Sequence, residues 1–136
     1  MSKKDWGIVR DCMREEVTEV DGTMDVLSAL KVMKNVGATS LIVKRRDDND
    51  EYGMLLFSDI AKKVIAKDRA PERVNVYEIM AKPVLTVRPD MQIRYCARLF
   101  ENFGISHAPV VENGKIVGIV SFYLLVLEGI KPDLKD

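Results

Sequence analysis

The sequence predicts an α+β protein built from one β-α-β-β-α unit written twice. The two copies would be related by a pseudo-twofold axis, with sheets packed together and helices outside. Three observations carry that expectation. The chain matches itself at a constant offset, both copies repeat the same order of apolar periodicities, and cap and turn residues recur at matching places.

The match begins at Met13, which aligns with Met80, and runs 67 residues apart through Val17/Val84, Val20/Val87, Met33/Phe100, Gly37/Gly104 and Val43/Val110. Beyond the next loop the offset falls to 65, so that Gly53 meets Gly118. The two extra residues lie where "RRDDNDE" replaces the tight "ENGK", and surface loops tolerate such changes.

Each copy has the same grammar. A short helical or turn segment ends at Met13 or Met80, and an extended piece follows, "VTEV" or "VLTV". A helix comes next. In the first copy Thr23 is the expected cap, with Met24, Leu27, Leu30, Met33 and Val36 at helical spacing. In the second, Asp90 is the expected cap, with Ile93, Ala97, Phe100 and Phe103 on the apolar face. Gly37 and Gly104 stand where a helix C-terminal glycine belongs. Then come a strand, "SLIVK" or "HAPVVE", and a hairpin, for which Asn113-Gly114 is a strong turn signal. The returning strand is "YGMLLF" or "IVGIVS", and a last helix, "SDIAKKVIAK" or "YLLVLEGI", closes each copy. The expected division is 8–67 for the first repeat, 68–76 for a linker, 77–128 for the second repeat and 129–136 for a C-terminal tail. About 60 residues bury too little surface to be stable alone, which favours packing one copy on the other.

Composition sets the remaining bounds. The chain has 136 residues, 47% hydrophobic and 31% charged, with zero formal net charge. That balance suits a soluble globular protein and gives no electrostatic case for nucleic acid or an anionic membrane. "KRRDDND", 44–50, reads as a solvated loop. The N-terminal residues lack the apolar stretch of a signal peptide, no segment is long enough to span a membrane, and the expected compartment is the cytoplasm. Cys12 and Cys96 read as two reduced, partly buried thiols, and one histidine offers too few ligands for a His/Cys metal site. The Met residues at 13, 24, 33, 80 and 91 suit core packing. No Ser/His/Asp order, phosphate loop or dinucleotide fingerprint is present, so no catalytic residue and no enzyme activity is expected.

The doubled pattern resembles a pair of CBS domains, also called a Bateman module. "GISHAPVVENGKIVGIVS" in the second copy is a particularly close match, and the resemblance spans roughly 8 to 128. It implies a stand-alone tandem pair that forms a homodimer and takes adenosine-containing ligands (AMP, ADP, ATP or S-adenosylmethionine) in clefts between repeats. The implied role is regulatory, acting on a separate effector protein, with no required cofactor. The alternative it leaves open is a dimerisation or interaction scaffold whose clefts bind nothing.

Family sites carry a glycine, two apolar residues, Thr or Ser, two variable residues and then Asp. A carboxylate so placed can accept hydrogen bonds from both ribose hydroxyls. The first copy keeps Asp59, with Leu56 at the Thr/Ser place and Ser58 directly before the aspartate; by resemblance Asp59 holds ribose and Ser58 donates to a phosphate. Capping of the helix that starts there is equally open to Asp59. The second copy has Ser121 at the Thr/Ser place and Leu124 in place of the aspartate. Its cleft is therefore empty, filled by side chains, or built for another ligand. The remaining expected ligand contacts are Val17 and Thr86 in the extended pieces, Thr39 and Ser40 before the first copy's strand, and Ser106, His107 and Pro109 at the second's. Among the residues just before these strands only His107 can become cationic, below its usual pKa of about 6.5, which favours a monophosphate or an uncharged adenosine group. Lys62 and Lys63 are read as a solvated face that could reach a phosphate.

Overall fold

The computed structural model describes residues 5–131; of the expected C-terminal tail, residues 132–136 lie outside them. The chain divides into two compact units, Thr18–Val84 and a second made of the residues up to Val17 together with those from Leu85 onward.

In the Thr18–Val84 unit, strand β1 (Glu19–Val20) pairs parallel with β2 (Ser40–Val43), which pairs antiparallel with β3 (Gly53–Leu56). Helix α1 (Val26–Val36) connects β1 to β2, and its apolar stripe puts Val26, Ala29 and Met33 in the core with Leu41, Leu55 and Ile79. Replacing a fully buried residue of this size by alanine typically costs about 2–5 kcal/mol. Asp25, not Thr23, caps α1: its carboxylate accepts the Ser28 N–H at 3.0 Å and the Ser28 hydroxyl at 2.7 Å. The helix therefore starts at Val26, and Met24 packs on the core from the preceding turn. Gly37 ends it in the left-handed region at φ 68°. Four residues of helix α2 (Phe57–Ile60) follow β3 directly and continue into a π turn, Ala61–Ile65.

The other unit holds α4 (Ile93–Phe103), the hairpin of β4 (His107–Glu112) and β5 (Lys115–Ser121), and α5 (Phe122–Ile130). Asn113 and Gly114 both have positive φ, 54° and 76°, as the two-residue hairpin turn requires. The expected strand over "VLTV" contracts to a single parallel bridge, Val87 to Val110. Asp90 does not cap α4; Gln92 stands at the N-cap, and Asp90 instead accepts Arg88 Nε at 3.2 Å. Phe100 is fully buried, whereas Phe103 is 62% exposed; its first-copy counterpart Val36 is also exposed. The helices turn those last positions to solvent, so the apolar faces end one turn earlier than their periodicity suggests.

A short lead segment from each copy completes the other copy's unit. Residues 7–14, which include a 3-10 turn (Val9–Asp11), dock on the second copy: Val9 N–H donates to Met91 O, Arg10 N–H to Pro89 O, and Ile93 N–H to Gly7 O. Residues 74–81, which include helix α3 (Val76–Ile79), make the same bonds to the first copy, through Val76 N–H to Met24 O, Tyr77 N–H to Gly22 O, and Val26 N–H to Val74 O. Each lead segment then crosses the returning strand at a glycine. Arg14 and Ile119 exchange both backbone bonds at 2.9 Å beside Gly118, and Ala81 and Met54 do so beside Gly53. A side chain on Gly118 would stand 2.7 Å from Arg14 O, so the backbone approach itself requires glycine there.

Met33 is fully buried, and Met13, Met24, Met80 and Met91 pack against the two cores, as does Trp6 in the second unit. Cys12 and Cys96 are free and buried in one cluster. Burial pushes Cys12 up to about 12 and Cys96 up to about 11, which leaves both thiols protonated and unreactive near neutrality.

Candidate functional site: the two strand-to-helix joints

The expected ligand residues fall into one group per unit. Thr39, Ser40, Ser58 and Asp59 gather in the Thr18–Val84 unit. Val17, Thr86, Ser106, His107, Pro109 and Ser121 belong to the other.

At the first joint, β3 runs into α2 with no intervening loop, and Ser40 faces Leu56 across the sheet. The Phe57 N–H reaches back to Thr39 O at 3.3 Å, which ties the start of β2 to the start of the helix. Asp59 stands at the third helical position, and its Oδ2 accepts the Leu56 N–H at 2.9 Å. Its Oδ1 lies 3.7 Å from Lys63 Nζ, with the Asp59 side chain 15% exposed and that of Lys63 47%. Lys63 also donates to Ile79 O at 3.0 Å. Asp59 thus does cap the helix, through one oxygen, while the other faces an ammonium. Ser58 and Thr39 are exposed beside it.

At the second joint, His107 faces Ser121 across the hairpin, and the Phe122 N–H donates to Ser106 O at 3.1 Å, matching the Phe57–Thr39 bond. Ser121 is buried at 9% exposure and accepts the Leu124 N–H at 3.2 Å, as an N-cap hydroxyl should. Ser106 Oγ and His107 Nδ1 are 2.8 Å apart. Burial lowers the His107 pKa, so the imidazole is neutral at pH 7 and supplies no charge for a phosphate. Pro109 is buried and accepts the Val87 N–H next to exposed Thr86. Half-buried Val17 is the last residue of its unit before the chain crosses to the other.

Two features escape a reading of the sequence. Asp50, inside the charged loop, is no solvated residue: its side chain is 8% exposed and accepts Arg46 N–H at 2.9 Å, Arg46 Nε at 3.1 Å and Lys82 Nζ at 2.8 Å. Those donors hold its carboxyl far below the usual carboxylate range, Arg46 foremost. The other is Lys63 as the partner of Asp59, for which the four-residue spacing on a helix is the available signal. Among the described residues no group of three or more His, Cys, Asp or Glu could hold a metal ion, and no helix is long and apolar enough to cross a membrane.

Comparison with known proteins places these joints in context. A hexameric CBS-CP12 protein from bloom-forming cyanobacteria is 34% identical, with a TM-score of 0.88 over 95% of this chain and 75% of that one. The CBS domain-containing protein YhcV of Bacillus subtilis is 29% identical over 83% of this chain and 79% of its own length. A CBS domain pair in complex with 5′-methylthioadenosine and S-adenosyl-L-methionine shares the fold at 23% identity, with a TM-score of 0.74 over 88% of this chain and 92% of that one. Against three other curated relatives the chain spans 58%, 22% and 55% of their length. The CBS domain model matches residues 9–66 and again 76–126, most of the chain, and the chain therefore belongs to the CBS domain family as a tandem pair.

Proposed function

We propose that this CBS pair is a regulatory, non-catalytic module that binds an adenosine-containing ligand, AMP favoured, at the Ser58–Asp59 joint and modulates a separate partner protein in the cytoplasm. The observation that carries this is the state of Asp59. Its carboxylate is already fixed by the Leu56 N–H and has a second oxygen turned to a half-exposed lysine. A carboxylate held in place accepts ribose hydroxyls without first losing side-chain freedom. The complex of a related pair with two adenosine compounds supports the ligand class. A ligand at 100 times its dissociation constant stabilises the folded state by about 2.7 kcal/mol. Thermal unfolding with AMP, ADP, ATP and S-adenosylmethionine should show that shift for at least one of them. No shift with any, together with flat calorimetry, overturns the reading.

A second reading has its own observation. Helix α5 exposes Tyr123 (70%), Val126 (53%) and Leu127 (39%) close together in sequence, and an apolar face of this kind suits an interface. We propose a homodimer through it, compatible with ligand binding or, in the scaffold reading, replacing it. Sedimentation of Tyr123→Lys/Val126→Lys should show monomer where the parent chain shows dimer; an unchanged mass overturns the dimer assignment.

A further inference from the structure

We infer that Lys63 sets the ligand class at the Asp59 joint by admitting a phosphate, so that this copy prefers a phosphate-bearing adenosine over an uncharged one. The inference rests on the reading of Asp59 as the ribose acceptor and adds the cation that reading lacks.

A carboxylate repels an anionic ligand brought within a few ångströms unless a positive group stands by. His107 cannot serve, because burial lowers its pKa and keeps it neutral at pH 7. Lys63 stands 3.7 Å from Asp59 Oδ1, too far for a hydrogen bond and near enough for the charges to compensate. Its Nζ is held at that place by Ile79 O, at 3.0 Å, from the lead segment that completes the unit. One of the three ammonium protons is used there, which leaves donors for a ligand oxygen. Nearly half the side chain is exposed, so it can swing from Asp59 to a phosphate when ribose hydroxyls take its place on the carboxylate.

The backbone gives independent support. Lys63 sits in the π turn Ala61–Ile65, whose Ala66 N–H bonds back five residues to Ala61 O. Such turns are rare, cost helix geometry and concentrate at functional sites. In the second copy the corresponding helix, α5, is regular from Phe122 to Ile130, and Leu124 replaces the aspartate. The π turn, the carboxylate and the ammonium occur together in the first copy.

Calorimetric titration of AMP and adenosine into the parent chain, Lys63→Gln and Lys63→Arg tests this. The parent chain should prefer AMP. In Lys63→Gln the AMP dissociation constant should rise roughly tenfold, as for a partly exposed charged hydrogen bond, and that for adenosine by less than twofold. Lys63→Arg should keep most of the preference. Equal affinity for AMP and adenosine in the parent chain, an unchanged AMP constant in Lys63→Gln, or equal weakening of both ligands overturns the inference while leaving Asp59 as a ribose acceptor. Absence of binding by AMP and adenosine, together with no thermal shift from ADP, ATP or S-adenosylmethionine, overturns the proposed function itself, and this inference with it.

Discussion

The strand-to-helix joints of the two copies share a backbone and divide one capping device between them. A full capping box needs an acceptor at the N-cap that bonds the third helical N–H, and an acceptor at the third position that bonds the N-cap N–H. The first copy has only the second half, with Leu56 at the N-cap and Asp59 reaching back to its N–H. The second has only the first half, with Ser121 reaching forward to the Leu124 N–H. Either half satisfies one orphan donor, so each joint is stable without the other's residue. The difference is what remains afterwards. Capping by Ser121 leaves a buried, neutral corner beside a neutral histidine, while capping by Asp59 leaves a carboxylate oxygen and an ammonium at a partly open edge. Lead segments show the opposite behaviour: Asp11 and Glu78 occupy the same place and both return to the N-cap N–H, of Ile8 and Asn75 respectively. Where no ligand is proposed, the copies kept the same solution.

The largest expected effect concerns the crossing of those lead segments. At Gly118 the obstacle to an added methyl is Arg14 O, a backbone atom that cannot move without breaking the paired bonds to Ile119. At Gly53 the closest atom, at 2.6 Å, is Met80 Sδ, the end of a flexible side chain, and Ala81 O lies 3.3 Å away. Gly118→Ala should therefore cost about 3 kcal/mol and Gly53→Ala about 1 kcal/mol, as overpacking with and without room to relax. Urea unfolding of the two variants measures this, and equal losses would show that the crossings are not distinguished by what meets the methyl.

Much of this was legible beforehand, for identifiable reasons. The repeat shows because helix and strand periodicities, the αL glycines and the Asn113-Gly114 turn are side-chain signals with a fixed period. Asp59 and Leu124 stand out by their place in that pattern. The exchange of lead segments is not legible: it rests on backbone pairs such as Val9 with Met91 and Val76 with Met24, and backbone groups are the same in every residue. Thr23 reads as a cap because it precedes the apolar stripe, but Asp25 is three residues from Ser28 and bonds both its N–H and its hydroxyl. Asp50 reads as solvated because its neighbours are charged; its donor Lys82 is distant in sequence, and local sequence gives no sign of that bond.

Next in size are the caps themselves. Ser121→Ala and Asp59→Ala each remove one acceptor from a helix start and should each cost about 1 kcal/mol. Their stability effects should match while their functional effects separate: Asp59→Ala should abolish the AMP-induced thermal shift, and Ser121→Ala should leave it in place. Loss of the shift in both would mean that the second joint also touches the ligand and that the division of roles drawn above is wrong.

The smallest effect is the acid response of the second joint. Burial lowers the folded-state pKa of His107 below the unfolded value of about 6.5. The folded chain therefore takes up its proton later than the unfolded chain as pH falls. The stability associated with neutral His107 is fully present above the unfolded pKa and declines as pH drops through it toward the folded value. Asp50, whose carboxyl is held far below its ordinary range, stays ionised in both states over this interval and contributes no slope. Between pH 7 and 5.5 the parent chain should lose more stability than His107→Gln, with the extra amide exchange concentrated in β4 and not in β2, where Ser40 cannot titrate. A parent chain and variant with the same pH slope would show that the imidazole gains its proton as readily folded as unfolded, which its place between Ser106 and the buried Ser121 argues against.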